Sequence, residues 1–280
     1  MVPQRYMIAL ALALAAMSAA APAAETVYQS SPPRRTVTPR QWGPWLGPFR
    51  AKLIPSLMED FGETYLYAPA DRALPPPAPG KPRVVFMGDS ITDRWDLAKS
   101  FPGRDYINRG IGSQVTAQML LRFQQDVVAL HPAAVIILAG VNDVQGFMQA
   151  PSAAQIEAND EAMADIADRH GIRVIFASIL PVDDYAPGAA DTLKERHPAE
   201  LRAINRWLQA FCRTRGYVYA DYYSALVDSH GLMTRGLSVD GVHPRAKGYA
   251  IMAPIAQAAI DRALAAKAPP AAPPSPPFDG

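Results

Sequence analysis

Short apolar runs that alternate with longer amphipathic stretches constrain this chain more than any other feature. Val84–Met87, Val135–Ala139 and Arg173–Leu180 are almost continuously apolar, and Tyr106-Ile107 and Tyr217–Ala220 are briefer runs of the same kind. Apolarity without polar alternation, over so few residues, fits strands covered on both faces, as in a parallel sheet. The stretches between them are helical in period. After Thr116, a candidate N-cap, Leu120, Phe123, Val127 and Leu130 recur at 3-4-3 spacing until Pro132 stops the pattern. Gln155–Arg169 is followed by Gly171 where a C-cap glycine belongs, Pro198–Arg215 opens on a proline tolerated in a first turn, and Ala246–Ala266 is the last. Shorter helices are expected at Lys52–Phe61 and Ile91–Lys99. This order predicts a single α/β/α sandwich with right-handed crossovers, whose ligands bind at the carboxyl ends of the strands.

Proline marks the borders. Of 28 prolines, 14 precede residue 83 and six fall in 268–280, which leaves 83–267 as the regular domain. Residues 1–23 read as an export signal: Arg5 supplies the positive charge, Met7–Ala21 the apolar run, and Ala21-Pro22-Ala23 a cleavage site after Ala23. The run is too alanine-rich and short to anchor a membrane, so cleavage leaves no stable membrane anchor and a periplasmic or secreted chain is expected. Residues 24–82 carry Trp42, Trp45, Phe49, Leu57, Phe61, Tyr65 and Tyr67, and read as an extension packed on the domain. The tail 268–280 reads as proline-rich coil.

The chain holds 27 basic and 26 acidic residues. That balance gives no electrostatic footprint for nucleic acid or for an anionic membrane. One cysteine excludes an internal disulfide framework, and the five histidines show no paired metal-ligand spacing, so neither metal nor organic cofactor is expected.

Four short motifs stand where chemistry should lie. Gly88-Asp89-Ser90 follows the first strand, Asn108-Arg109-Gly110-Ile111-Gly112-Ser113 the second and Gly140-Val141-Asn142-Asp143 the third, while Asp240-Gly241-Val242-His243 precedes the last helix. Each alone is an ordinary turn or cap; the four together are not. With them, and with the flanking phrases VVFMGDSITDRW, ILAGVNDV and DGVHPRAKGYAIMAP, the chain resembles the SGNH/GDSL hydrolase family over Arg83–Ala266. The resemblance implies a flavodoxin-like five-stranded parallel sheet of order 2-1-3-4-5 and serine-dependent hydrolysis of esters.

The residues themselves support that chemistry. Serine is a poor nucleophile unless a base takes its proton, so Ser90 is paired with His243 and Asp240 is read as the carboxylate that orients the imidazole. The Ser90 amide, the Asn142 carboxamide and a second-loop amide are the candidate oxyanion donors. Asp89 and Asp143 are expected to brace their loops. The family usually ends its second loop in Ser-Gly, whereas here the order is Gly112-Ser113. In register Ser113 takes the donor position, which requires either negative φ at Ser113 or a shifted loop in which Gly112 donates. Val115 stands where a dinucleotide fingerprint needs its third glycine. A catalytically silent module for cell-wall sugars is the reading from another class. The 17-residue segment Pro181–His197 is long for a strand-to-helix connection and polar, which favours short, soluble acyl esters, carbohydrate esters among them, over long lipid chains. A broader arylesterase, thioesterase or lysophospholipase is the alternative. Cys212, flanked by Trp207, Leu208 and Phe211, is read as a buried apolar residue.

Overall fold

The computed structural model describes residues 46–269 apart from 147 and 149. The expected export signal at residues 1–23, Trp42 and Trp45, and positions 270–280 of the tail lie outside the described residues. In order, the elements are α1 (Leu46–Glu59), α2 (Ala68–Ala73), β1 (Val84–Gly88), α3 (Ser90–Asp93), α4 (Leu97–Ser100), β2 (Tyr106–Gly110), α5 (Thr116–Asp126), a 3-10 turn (Val128–Leu130), β3 (Ala134–Leu138), α6 (Val141–Gln145), α7 (Ala153–Arg169), β4 (Arg173–Ala177), α8 (Thr192–Arg196), α9 (Pro198–Arg215), β5 (Val218–Ala220), α10 (Tyr222–Leu226) and α11 (Ala246–Ala265).

The five strands form one parallel sheet in the order β2-β1-β3-β4-β5. Every residue of β1 and β3 is buried, which is why these strands read as unbroken apolar runs. Helices α5, α7 and α9 cover one face, and α11 with α4 and α10 the other. The buried stripe of α5 is Met119, Phe123 and the following Val127, with Leu120 only partly covered.

Several boundaries move from their sequence-based positions, each for a local reason. Thr116 is the first residue of α5 rather than its cap, because Asp143 reaches across and accepts from both its amide and its hydroxyl. Helix α5 ends at Asp126, and the pattern as far as Leu130 continues in a 3-10 turn closed by His131 at φ +52°. The expected helix Ile91–Lys99 is two single turns, each opened by an aspartate: Asp89 accepts from the Ile91 amide and Asp96 from the Lys99 amide. Asn108, Arg109 and Gly110 lie inside β2 and not after it.

Register sets the site. Gly88 pairs with Gly110 on one side and Leu138 on the other, so three of the four motifs leave the sheet at one level. Gly88 tolerates no side chain, since a Cβ there would collide with Thr92 of the following turn. Residues 60–73 touch the second motif and the residue after it: Tyr67 donates to the Gly110 carbonyl at 2.5 Å, Arg109 pairs with Asp71, and Gln114 donates to the Gly62 carbonyl at 3.0 Å.

Candidate active site

Ser90 is the first residue of α3, so its N–H has no intrahelical acceptor. Its Oγ lies 2.8 Å from Nε2 of His243, 153 residues further along the chain. Nδ1 of His243 lies 2.8 Å from Oδ2 and 3.0 Å from Oδ1 of Asp240. Burial alone would raise the Asp240 carboxyl, but hydrogen bonds from the side chain and the amide of His243 hold it well below the usual carboxylate range. Ionised, it can only accept. The Nδ1 proton is thereby fixed and the Nε2 lone pair is left facing the serine hydroxyl. The three residues assembled from sequence come together in the order that proton transfer requires.

The loop carrying Asp240 and His243 is held from below. Gly241 sits at φ +88° with no room for a Cβ against the Asp183 carbonyl. The Asp183 amide donates to the Gly241 carbonyl at 2.9 Å, and its buried carboxylate accepts from the Ser238 hydroxyl at 2.5 Å. Tyr249 in α11 donates to the Ile91 carbonyl at 2.7 Å, which ties the helix after His243 to the turn after Ser90.

The candidate oxyanion side is built from the other motifs. Asn142 opens α6 one residue in, and its Nδ2 donates to the Gln114 carbonyl at 3.0 Å. Gly112 faces the nucleophile: a Cβ there would stand 3.9 Å from the Cβ of Ser90. Ser113 does not sit at negative φ. It adopts φ +69° and so carries the strain of a left-handed serine. Among the described residues neither the Gly112 nor the Ser113 amide donates to a backbone carbonyl, so both are free for an incoming oxygen.

Two residues that sequence reasoning missed hold this loop. Gln114 accepts from Arg122 Nε at 2.6 Å, and the same guanidinium donates to the Gly88 carbonyl at 3.1 Å and pairs with Asp126 at 2.9 Å. Arg122 is wholly buried and links the strand end before Ser90 to the second motif. Its signal was the Arg122/Asp126 pair at i,i+4 on a helix face otherwise buried. A third is Arg196, whose Nη1 donates to Asn142 Oδ1 at 2.8 Å and to the Val141 carbonyl at 2.9 Å.

Asp89 and Asp143 are buried braces. Desolvation pushes Asp89 up to about 6, opposed by the Ile91 amide and by the charges of His243 and Arg196. Asp143 is likewise pushed up to about 6 by burial, against the hydrogen bonds from Thr116. Cys212 is 1% exposed, and burial pushes its thiol up to about 12, which leaves it inert as a nucleophile.

The model of the GDSL-like lipase/acylhydrolase family matches residues 86–251, more than half of the chain. The chain belongs to that family. A Bacteroides fragilis protein classed as an acylhydrolase is 34% identical with a TM-score of 0.68, over 73% of this chain and 99% of its own. A GDSL-like lipase from Bacteroides thetaiotaomicron is 33% identical with a TM-score of 0.66, over 73% of this chain and 100% of its own. An acetyl-xylooligosaccharide esterase variant from Geobacillus Stearmophilus shares the fold at 20% identity and a TM-score of 0.52, over 64% of this chain and 94% of its own. No curated protein matches. The GDSL-like acylhydrolase fold and the ester-hydrolase class are therefore established for the chain, and the strand order is the one expected from its four motifs.

Proposed function

We propose that this GDSL-like hydrolase is an exported esterase that removes short acyl groups from soluble alcohols, carbohydrates among them, through an acyl-enzyme on Ser90. The continuous Ser90–His243–Asp240 chain of hydrogen bonds carries the reading. The Ser90 hydroxyl attacks the ester carbonyl as its proton passes to His243 Nε2, and the carbonyl oxygen takes up negative charge. The amides of Ser90 and Ser113 and the free N–H of Asn142 stabilise that charge, with Gly112 the alternative donor in the second loop. The tetrahedral centre collapses, the C–O bond breaks, and His243 returns the proton to the departing alcohol. Water then repeats the sequence on the acyl-serine. Its proton goes to His243 and on to Ser90 Oγ, and the carboxylic acid is released.

The short-acyl preference rests on what surrounds the catalytic loop. The connection from β4 to α9 supplies Asp183 beneath Gly241, Glu195 bonded to Gln145 at 2.9 Å, and Arg196 bonded to Asn142, an ionic frame and not an apolar lid. Of the exposed large apolar side chains among the described residues, Phe49, Ile54, Met58, Tyr65 and Leu66 lie on α1 or shortly after it and Leu121 on α5, while Val239 alone stands beside the catalytic loop. The acetyl-ester activity in the name of one fold neighbour belongs to that neighbour, and adds only that the fold accommodates such a substrate.

Two measurements test the reading. A fluorophosphonate probe is expected to label wild-type protein at Ser90 and to leave Ser90→Ala unlabelled. In a series of p-nitrophenyl esters, acetate or butyrate is expected to turn over fastest. A maximum at decanoate or beyond contradicts the short-acyl assignment.

A further inference from the structure

The Asn142 carboxamide can face either way, and only one way is useful. With Nδ2 toward the nucleophile it donates to the oxyanion; flipped, it presents a second oxygen to a developing negative charge. Nδ2 carries two hydrogens, and one is given to the Gln114 carbonyl at 3.0 Å. A carbonyl only accepts and an arginine only donates, so the Gln114 carbonyl on one side and Arg196 Nη1 on the other admit a single orientation. The remaining N–H is left for the substrate oxygen.

Arg196 is an expensive way to hold an amide. It is 7% exposed, and its charge is offset by Asp89, Glu195 and Asp240, with no ion pair of its own among the described residues. Burial lowers its guanidinium to about 10, which still leaves it charged at neutral pH. A well-packed apolar side chain is ordinarily no less stable than a buried charge at such a position. The charge does something an apolar side chain cannot. It withdraws electron density from the Asn142 carboxamide through a charge-assisted hydrogen bond, which strengthens the N–H donated on the far side.

We infer that Arg196 is the positioning residue of the oxyanion hole: it fixes the flip of the Asn142 carboxamide and polarises it towards the charge that develops on the substrate oxygen. It hydrogen-bonds neither Ser90 nor His243; its bonds go to Asn142 Oδ1 and the Val141 carbonyl, and its effect on the oxyanion hole passes through Asn142. The inference rests on the proposed role of Ser90 and deepens it. It also gives the long β4–α9 connection a function. One segment clamps the acid–base loop through Asp183 and the oxyanion donor through Arg196, so its folding completes both halves of the site.

The test is a double-mutant cycle on a soluble acetyl ester, with thermal unfolding recorded for every variant. Arg196→Met is expected to lower kcat by roughly 10–100-fold, short of or equal to the loss of a whole oxyanion donor. KM should stay within about threefold, because the contact matters only once charge develops. Arg196→Lys keeps the charge but offers a point donor for a planar fork, and is expected to recover part of the loss. In an Asn142→Ala background neither substitution should lower kcat further. If the two losses multiply, Arg196 does not act through Asn142 and the inference is wrong. Unchanged kcat in Arg196→Met overturns it as well. Should Arg196→Met fail to fold, the cycle is decided by Arg196→Lys on the same criterion. Ser90→Ala separates the two levels: turnover persisting there defeats the proposed mechanism, whereas a dead Ser90→Ala beside a multiplicative cycle defeats only the role of Arg196.

Discussion

Replacing Ser113 by glycine should stabilise this protein and leave it active, although the residue lies in the candidate oxyanion loop. Ser113 holds φ +69°, a region that costs an L-residue about 1–2 kcal/mol and glycine nothing. The glycine returns about 0.4–1 kcal/mol of that through a freer unfolded chain. The net gain is about 0.5–1 kcal/mol, which for a domain of this size raises Tm by about 1–4 °C. The amide is unchanged by the substitution, and its orientation is set by neighbours and not by the side chain. Gln114, the next residue, is pinned by Arg122 at 2.6 Å, by the Gly62 carbonyl at 3.0 Å and by Asn142 at 3.0 Å. Turnover of a p-nitrophenyl acetate assay should therefore stay within about threefold of wild type. Ser113→Ala is the control. It removes the hydroxyl but retains the strain, so kcat should hold while Tm fails to rise. A tenfold or larger fall in kcat for both variants would assign the hydroxyl a part in catalysis and refute the backbone-donor argument. A fall in Tm for Ser113→Gly would refute the strain argument instead.

Ser90→Ala and His243→Ala should each lower kcat by roughly 10⁵-fold or more, with far-ultraviolet circular dichroism unchanged, since each removes a member of a unit that works only whole. Asp240→Asn should cost roughly 10³–10⁴-fold: the carboxylate is the sole partner of His243 Nδ1 among the described residues, and an amide there can stabilise the tautomer that turns Nε2–H toward Ser90. A loss below tenfold in a steady-state assay would mean that something else orients the ring. Asp89→Asn addresses stability. The folded-state carboxyl lies at about 6, above its ordinary 3.8, so the wild type is favoured while Asp89 is protonated and loses that advantage as pH rises from about 4 through 6. The amide keeps the Oδ1 acceptor for the Ile91 amide and carries no charge, so urea unfolding at pH 8 should show it more stable by up to about 3 kcal/mol, with the difference vanishing near pH 4.

What could be read in the sequence, and what could not, follows from the range of each interaction. The sheet was legible because β1 and β3 are buried throughout and sort themselves by apolar run alone, and α9 was legible to the residue from its opening proline, Pro198, to Arg215. Ser90, Asn142, Asp240 and His243 were legible because each stands in a motif beside a strand end or before the last helix. Thr116 was misread as a cap for the opposite reason. The group that satisfies its amide, Asp143, is 27 residues away and visible only once β3 has returned beside β1. Arg196 is the extreme case. It lies in a connection with no hydrophobic period, next to a histidine at φ +40°, and nothing in its neighbourhood marks it off from Lys194 or Arg202. Its partner is 54 residues earlier, and its burial is decided by how α8 docks on α6. Motifs report the groups that a strand end must present to solvent and substrate. They do not report the buried charges that hold those groups in place, since many sequences can supply such a charge from many positions. The same reasoning predicts where relatives of this hydrolase differ: the four motifs should persist, while the donor behind the asparagine should come from different points of the β4–α9 connection, and a relative with an apolar residue there should carry a slower oxyanion hole.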